Sequence, residues 1–168
     1  EFLEPGAPVS GAEYECFLSA YRLALAEAEA VTLSGSLPRG VPGYCYRTLV
    51  SLAREAEVPV LLDASGDVLC LGVEAGPTVV KPNADELEQL LGAPAVGERQ
   101  VLAALHALRG RGIKTAVASL GKRGALAVGP EGVFRAVPPE IQAVNTVGCG
   151  DSMVGAFAVA LETTPARL

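Results

Sequence analysis

Tryptophan is absent, histidine and methionine occur once each, and Phe and Tyr number four apiece. The core must therefore be built from Val, Leu and Ala. His106 stands beside Leu105 in an apolar-patterned stretch and reads as a structural or surface residue. Cys16, Cys45, Cys70 and Cys149 are widely spaced and include no CxxC pair, so the spacings of zinc sites and disulfide frameworks are missing. Four unpaired thiols fit a reducing compartment, and a cytoplasmic location is the expectation. No apolar run is long enough to span a bilayer and no signal peptide opens the chain, so no membrane partner is expected. Basic residues are few: 13 Lys and Arg stand against 19 Asp and Glu, a formal charge of -6. With no basic cluster, the long-range field opposes a phosphate backbone, and no nucleic-acid partner is expected.

What is present suits an α/β domain. Half of the 168 residues are apolar, and 19 Gly and 12 Pro supply many turns. That length is enough for one domain with a sizeable core. Glu1-Phe2-Leu3-Glu4 reads as the tail of a strand closed by Pro5-Gly6, with no initiator Met, so a piece of a longer chain is expected.

Periodicity then sets the elements. Ser10-Gly11-Ala12-Glu13 has capping-box spacing, and Tyr14, Phe17, Leu18, Tyr21 and Leu25 form a helical stripe ending near Glu29. A strand over Ala30 to Leu33 follows. The spacing next predicts a helix from about Gly43 to Glu57, with Leu49, Leu52, Ala53 and Ala56 inward. Strands are predicted at Val58 to Leu62 and Thr78 to Lys81, then a helix from Ala84 to Leu91. A helix at Glu98 to Arg111 turns Val101, Leu105 and Leu108 to one face, before a strand at Thr115 to Ser119. Alternating strands and helices with short connectors imply a mainly parallel sheet. After Gly124 the rhythm changes to a hairpin, Ala125 to Val128 and Val133 to Val137 around Gly129-Pro130-Glu131-Gly132, and a last helix runs from Cys149 or Gly150 to Leu161.

Several connectors could carry chemistry. Asn145-Thr146-Val147-Gly148-Cys149-Gly150-Asp151 opens the last helix. Its glycines let backbone amides turn toward one point, and the helix adds its positive end, which together make an anion hole. Asp151 on the first turn is either a cap or a base placed to take a hydroxyl proton beside a phosphoryl group. Cys149 is read as a small filler there and not as a nucleophile. Asn83 and Glu86, in Lys81-Pro82-Asn83-Ala84-Asp85-Glu86, have capping-box spacing. Glu86 could also face a metal-bound water, and the two roles are compatible. Ser119-Leu120-Gly121-Lys122-Arg123-Gly124 lacks the Walker spacing; alone it reads as a turn with Lys122 and Arg123 facing solvent. Ser34-Gly35-Ser36-Leu37-Pro38-Arg39-Gly40 and Asp63-Ala64-Ser65-Gly66 end two further strands. Tyr44 and Tyr46 read as packing or rim residues. These polar loops leave the same ends of successive strands, where open α/β sheets bind ligands.

Taken in order, Ser34 to Gly40, Lys81 to Glu86, Ser119 to Gly124 and Asn145 to Asp151 resemble four blocks of the ribokinase-like, or PfkB, carbohydrate kinases. The resemblance extends to about Leu161. It implies a ribokinase-like α/β fold: a mainly parallel sheet flanked by helices, with a C-terminal hairpin. Residues 1–9 would be a remnant of a lid strand and its return linker, and residues 10–168 a partial kinase core. The family's N-terminal half, its double-glycine sugar signature and most of its lid have no counterpart. By resemblance Asp151 is the catalytic base and Gly148, Cys149 and Gly150 form the anion hole. Ser119, Gly121, Lys122, Gly124 and Asn83 would line the ATP site, and Glu86 with Asn83 would organise Mg2+. Ser34, Gly35, Ser36, Arg39 and Asp63 would meet the substrate. Lys81 ahead of Asn83 and the Ser-Gly-Ser-Leu-Pro run favour the phosphosugar branch. The implied activity is ATP-dependent transfer to a ketohexose phosphate, fructose 1-phosphate first. Tagatose 6-phosphate and fructose 6-phosphate acceptors, or a nucleotide-binding fragment without activity, are the alternatives. A sugar phosphate is the expected partner, and a homodimer the expected assembly of the full-length protein.

Overall fold

The computed structural model describes residues 6–140 and 148–163. Most of the expected lid remnant, and Asn145 to Val147 of the last glycine loop, therefore lie outside the described residues. Helix α1 (Gly11–Leu25) starts where the capping box places it. The Glu13 amide donates to the Ser10 hydroxyl at 3.3 Å, and the Ser10 amide donates to the Glu13 carboxylate at 2.8 Å. The helix stops at Leu25, short of the expected Glu29, as Ala26 and Glu27 turn their amides onto the carbonyls of Leu23 and Ala24. Tyr14, Leu18 and Leu25 are buried, but Phe17 is exposed and stacks on Tyr21 at the rim, because only one edge of the stripe meets α2.

Strand β1 (Val31–Ser34) leads to α2 (Cys45–Glu55), then β2 (Val60–Asp63). Leu49 and Ala53 of α2 are buried and Leu52 partly so; Ala56, expected inward, caps the helix end and is exposed. Pro59 precedes β2 and costs no ladder bond, while its carbonyl accepts from Val31. An unexpected helix follows, α3 (Gly66–Glu74), with Leu69, Gly72 and Val73 buried at helical spacing. Its glycines hid it. Gly72 is required, since a Cβ there would stand 2.7 Å from a Leu62 methyl, so the helix lies close on β2. Strand β3 (Val79–Val80) is shorter than the expected Thr78 to Lys81, and α4 (Ala84–Leu91) matches its prediction. Helix α5 (Glu98–Gly110) buries Val101, Leu105 and Leu108, and leaves His106 on the surface. Strand β4 (Thr115–Ser119), the hairpin β5 (Ala125–Gly129) and β6 (Gly132–Ala136), and α6 (Cys149–Thr163) complete the order.

The six strands lie side by side in sequence order, β1 to β4 parallel and β4 to β6 antiparallel. The period of two along each strand sorts the core into two layers. Val60, Leu62, Val80, Ala116 and Ala118 join the side chains of α1 to α5 in one cluster. Their neighbours Leu61, Val79 and Val117 face the opposite way, toward Val154 and Leu161 of α6. Strands β2, β3 and β4, covered on both faces, explain the near-continuous apolar runs, whereas Thr32 and Ser34 of β1 are exposed. This is the mainly parallel, helix-flanked sheet with a hairpin at one edge that the resemblance implies.

Candidate functional site

The ends of β1 to β4 are tied into one rim. Ser34 pairs with Asp63 across β1 and β2, and the Gly35 amide donates to the Asp63 carbonyl at 3.0 Å. The Lys81 amide donates to the Leu62 carbonyl at 3.1 Å, and the Ser119 amide to the Pro82 carbonyl at 3.0 Å, with a parallel bridge between Asn83 and Ser119. The loops opened by Ser34, Asp63, Asn83 and Ser119 thus leave a single edge. The Tyr46 hydroxyl fixes the first of them by donating to the Ser34 carbonyl at 2.7 Å. Tyr46 is therefore a packing residue that shapes the loop, while Tyr44 is exposed with Arg47 over its ring.

At the floor of this rim lies a charge pair. Lys81 Nζ stands 3.0 Å from Asp63 Oδ1, and their side chains are only 6% and 17% exposed. Glu86 is half-buried nearby. It completes the α4 capping box, accepting from the Asn83 amide at 2.8 Å while its own amide donates to Asn83 Oδ1 at 2.9 Å. Burial pushes its pKa up first of all, against the pull of the Asn83 amide; Asp63 raises it further and Lys81 lowers it. The carboxylate is thus capping a helix and sitting in the field of the pair.

Helix α6 brings the glycine loop to the same floor. Gly148 has φ +82, and its carbonyl accepts from the amide and hydroxyl of Ser152, both at 2.9 Å. A Cβ placed on Gly150 would stand 3.7 Å from Lys81 Nζ and 4.0 Å from Asp63 Oδ2. Asp151 follows on the first helical turn and is exposed, as is Cys149. So Asp63, Lys81, Asn83, Glu86, Ser119, Gly150 and Asp151 stand on adjoining elements at one end of the sheet.

Other candidates are placed more loosely. Gly121 to Arg123 form one 3-10 turn with Lys122 exposed, and Arg123 donates to the Val96 carbonyl. Gly124 is held at φ +86, where a Cβ would collide with the Ala136 carbonyl; the backbone crossing there admits only glycine. Ser36 and Arg39 are exposed on the β1 loop, and Arg39 is anchored as the Val9 amide donates to its carbonyl at 2.7 Å. Lys81 was not singled out as a site residue from spacing; the available signal was a charge ending the apolar run Val79-Val80. A separate concavity of about 300 Å3, lined by Val117, Ala127, Phe134 and Phe157 among others, lies on the α6 side of the hairpin and is apolar.

An open, mainly parallel sheet with glycine-bearing loops, a helix N-terminus and carboxylates at its C-terminal edge is the arrangement with which α/β proteins bind anionic ligands. The sequence profile of the pfkB family carbohydrate kinases matches residues 9–165. The 1-phosphofructokinase of Escherichia coli K12 is 39% identical over 155 residues, which cover 92% of this chain and 50% of that enzyme. Phosphofructokinase-2 of Escherichia coli, solved with substrates and products, superposes with TM-score 0.83 at 33% identity, over 95% of this chain and 52% of that one. Its complex with fructose-6-phosphate superposes with TM-score 0.81 at 30% identity, over 96% and 53%. That enzyme has also been solved in a tetrameric inhibited form. The chain belongs to the pfkB family of carbohydrate kinases. It spans about half the length of the curated relatives it matches.

Proposed function

We propose that the full-length protein transfers the terminal phosphoryl group of ATP to a hydroxyl of a ketohexose phosphate. The observation that carries this reading is the meeting of Gly150, at the start of α6, with the Lys81–Asp63 pair, one residue before Asp151. Asp151 takes the proton from the acceptor hydroxyl, and that oxygen forms the new bond to phosphorus as the bond to ADP breaks. The amides of Gly148, Cys149 and Gly150 bind the charge that develops on the transferred group. Ser119, Gly121, Lys122 and Gly124 line the nucleotide phosphates, and Ser34, Gly35, Ser36 and Arg39 face the acceptor.

Magnesium fits this site through few protein atoms. Its cation usually keeps several waters beside one or two carboxylates and the nucleotide phosphates. Glu86 spends one oxygen, Oε2, on the Asn83 amide, which leaves Oε1 for a metal-bound water. Asn83 would orient Glu86 in the same box. When bound, the metal neutralises charge on the phosphates. The raised pKa of Glu86 is the cost of holding a half-buried carboxylate where a cation would relieve it.

Among acceptors, the solved relatives move the preference from fructose 1-phosphate to fructose 6-phosphate. Fructose 1-phosphate is the second reading, favoured by the 39% identity to a 1-phosphofructokinase. A coupled ADP-release assay at saturating MgATP, run with both sugars and with tagatose 6-phosphate, separates them. Sugar-dependent turnover highest with fructose 6-phosphate is expected; ADP release that ignores all three sugars would overturn the reading. A homodimer is proposed for the full-length protein, and light scattering reads it directly.

A further inference from the structure

We propose that Tyr46 is a positioning residue for the acceptor, whose hydroxyl makes the β1 loop present N–H groups and not carbonyls to the substrate. This rests on the phosphoryl-transfer reading above, in which Ser34 to Ser36 face the acceptor. The starting point is the peptide that ends β1. Its amide, from Gly35, donates to the Asp63 carbonyl on β2 at 3.0 Å. A planar trans peptide sends its carbonyl the opposite way, so the Ser34 carbonyl points away from β2. β1 is the first strand of the sheet, and no other strand among the described residues meets that side of it. The Tyr46 hydroxyl takes the place of a strand. It donates to the Ser34 carbonyl at 2.7 Å and lies 3.4 Å from the Gly35 carbonyl. A hydroxyl carries one proton, so the short bond is the strong one and the longer contact shares it.

The next peptide is the one that needs holding. Gly35 has φ +84, and a glycine there leaves the peptide between Gly35 and Ser36 free to turn either way. With the Gly35 carbonyl drawn toward Tyr46, the Ser36 amide faces outward. Ser36 is exposed, and its amide has no hydrogen-bond partner among the described residues. Turned the other way, the same peptide would set a carbonyl oxygen against a phosphate-bearing acceptor. Packing alone does not ask for the hydroxyl. The Tyr46 side chain is buried, and its Cβ lies 3.6 Å from where a Cβ on Gly72 would stand. Phenylalanine would fill that space without burying an oxygen. Burial, and then Cys45, push the phenol pKa up, which keeps the proton on the hydroxyl near neutral pH.

The test compares two tyrosines of the full-length protein. Tyr21 makes the same kind of bond away from the rim, its hydroxyl on α1 donating to the Leu49 carbonyl of α2 at 3.1 Å. Tyr46→Phe and Tyr21→Phe each keep the ring and lose one such bond, so both should fold and melt slightly below wild type. Only Tyr46→Phe should raise the sugar KM, by about fivefold or more, the worth of one hydrogen bond. Its MgATP affinity, read by calorimetry, should stay within about twofold, because the nucleotide loops are not touched. A sugar KM within about twofold of wild type in Tyr46→Phe, whatever kcat does, would leave the hydroxyl a purely structural task and overturn the proposal. An equal rise in Tyr21→Phe, or an equal loss of MgATP binding in Tyr46→Phe, would mean general loosening and overturn it too. These results leave the kinase reading in place. Wild type without sugar-dependent ADP release would remove that reading and this inference together.

Discussion

Two helices of this protein begin with the same device and put it in opposite surroundings. At α1 the Ser10–Glu13 box lies on the surface; at α4 the Asn83–Glu86 box lies at the ligand edge of the sheet. In both, the N-cap amide donates to the glutamate at 2.8 Å. Yet the hydrogen bonds from the Ser10 amide and hydroxyl hold the Glu13 carboxyl below its usual range, while burial and then Asp63 push Glu86 above it. The motif reports only that a helix starts. Whether the carboxylate is at rest or held at a cost depends on what folds around it, and the costly one is where a cation would be welcome.

The contrast can be broken most violently next door, at Asp151. In the full-length protein Asp151→Asn should lower kcat by about 100- to 10,000-fold while MgATP binding persists. Glu13→Gln at the other box should leave kcat alone. Near-normal turnover of Asp151→Asn with chemistry rate-limiting would strip that residue of the base role. A smaller effect is expected from Glu86→Gln. Glutamine still serves the N3 position of the box, so thermal stability should hold, while the magnesium titration shifts by about 10- to 100-fold. An unchanged titration would make the α4 box as purely structural as the α1 box.

Removing the caps should erase the difference between the two helices. Ser10→Ala and Asn83→Ala should each cost about 1 kcal/mol in denaturant unfolding, since each leaves helix amides unpaired. Only the second should also change magnesium dependence. The subtlest distinction is the sign of the pH response. The lowered pKa of Glu13 gives stability that is present above the ordinary 4.5 and lost as pH falls through the folded value. The raised pKa of Glu86 works the other way: the penalty is absent below 4.5 and grows as pH rises through the folded value. Stability profiles of the two Gln variants, each subtracted from wild type, should therefore bend in opposite directions. Magnesium binding should likewise weaken on acidification at a pH above that of an ordinary glutamate.

Both boxes were legible in the sequence because their partners are three residues apart and answer to local geometry. The same holds for α4 and β4, whose apolar spacing is clean. Helix α3 was not legible, although Leu69, Gly72 and Val73 keep the right spacing, because glycine is a poor helix former and the need for Gly72 shows only once Leu62 is packed against it. Phe17 and Ala56 continue their helical stripes on paper but pass beyond the edge of the packing partner. The polar rim could be foreseen from loops leaving successive strands. The pairing of Lys81 with Asp63 could not, since periodicity gives each strand's faces but not which side chain meets which across β2 and β3.

The sequential order of the strands has a consequence for how the site comes into being. From β1 to β6 each strand pairs with the one before it in the chain, through helical crossovers from β1 to β4 and short turns from β4 to β6, so no strand waits on a segment beyond its neighbour. Helix α6 is the exception: it packs back across β1 and β2, the farthest strands in sequence. Its docking closes the longest loop in the described chain and pays the largest loop entropy. The sheet rim with Asp63, Lys81 and Glu86 should therefore form first, and Gly150 and Asp151 should arrive last. In pulse-labelled hydrogen exchange, protection at Val154 and Leu161 should lag behind Leu62 and Val117, so that Asp151, the proposed base, reaches the rim only in the final step of folding.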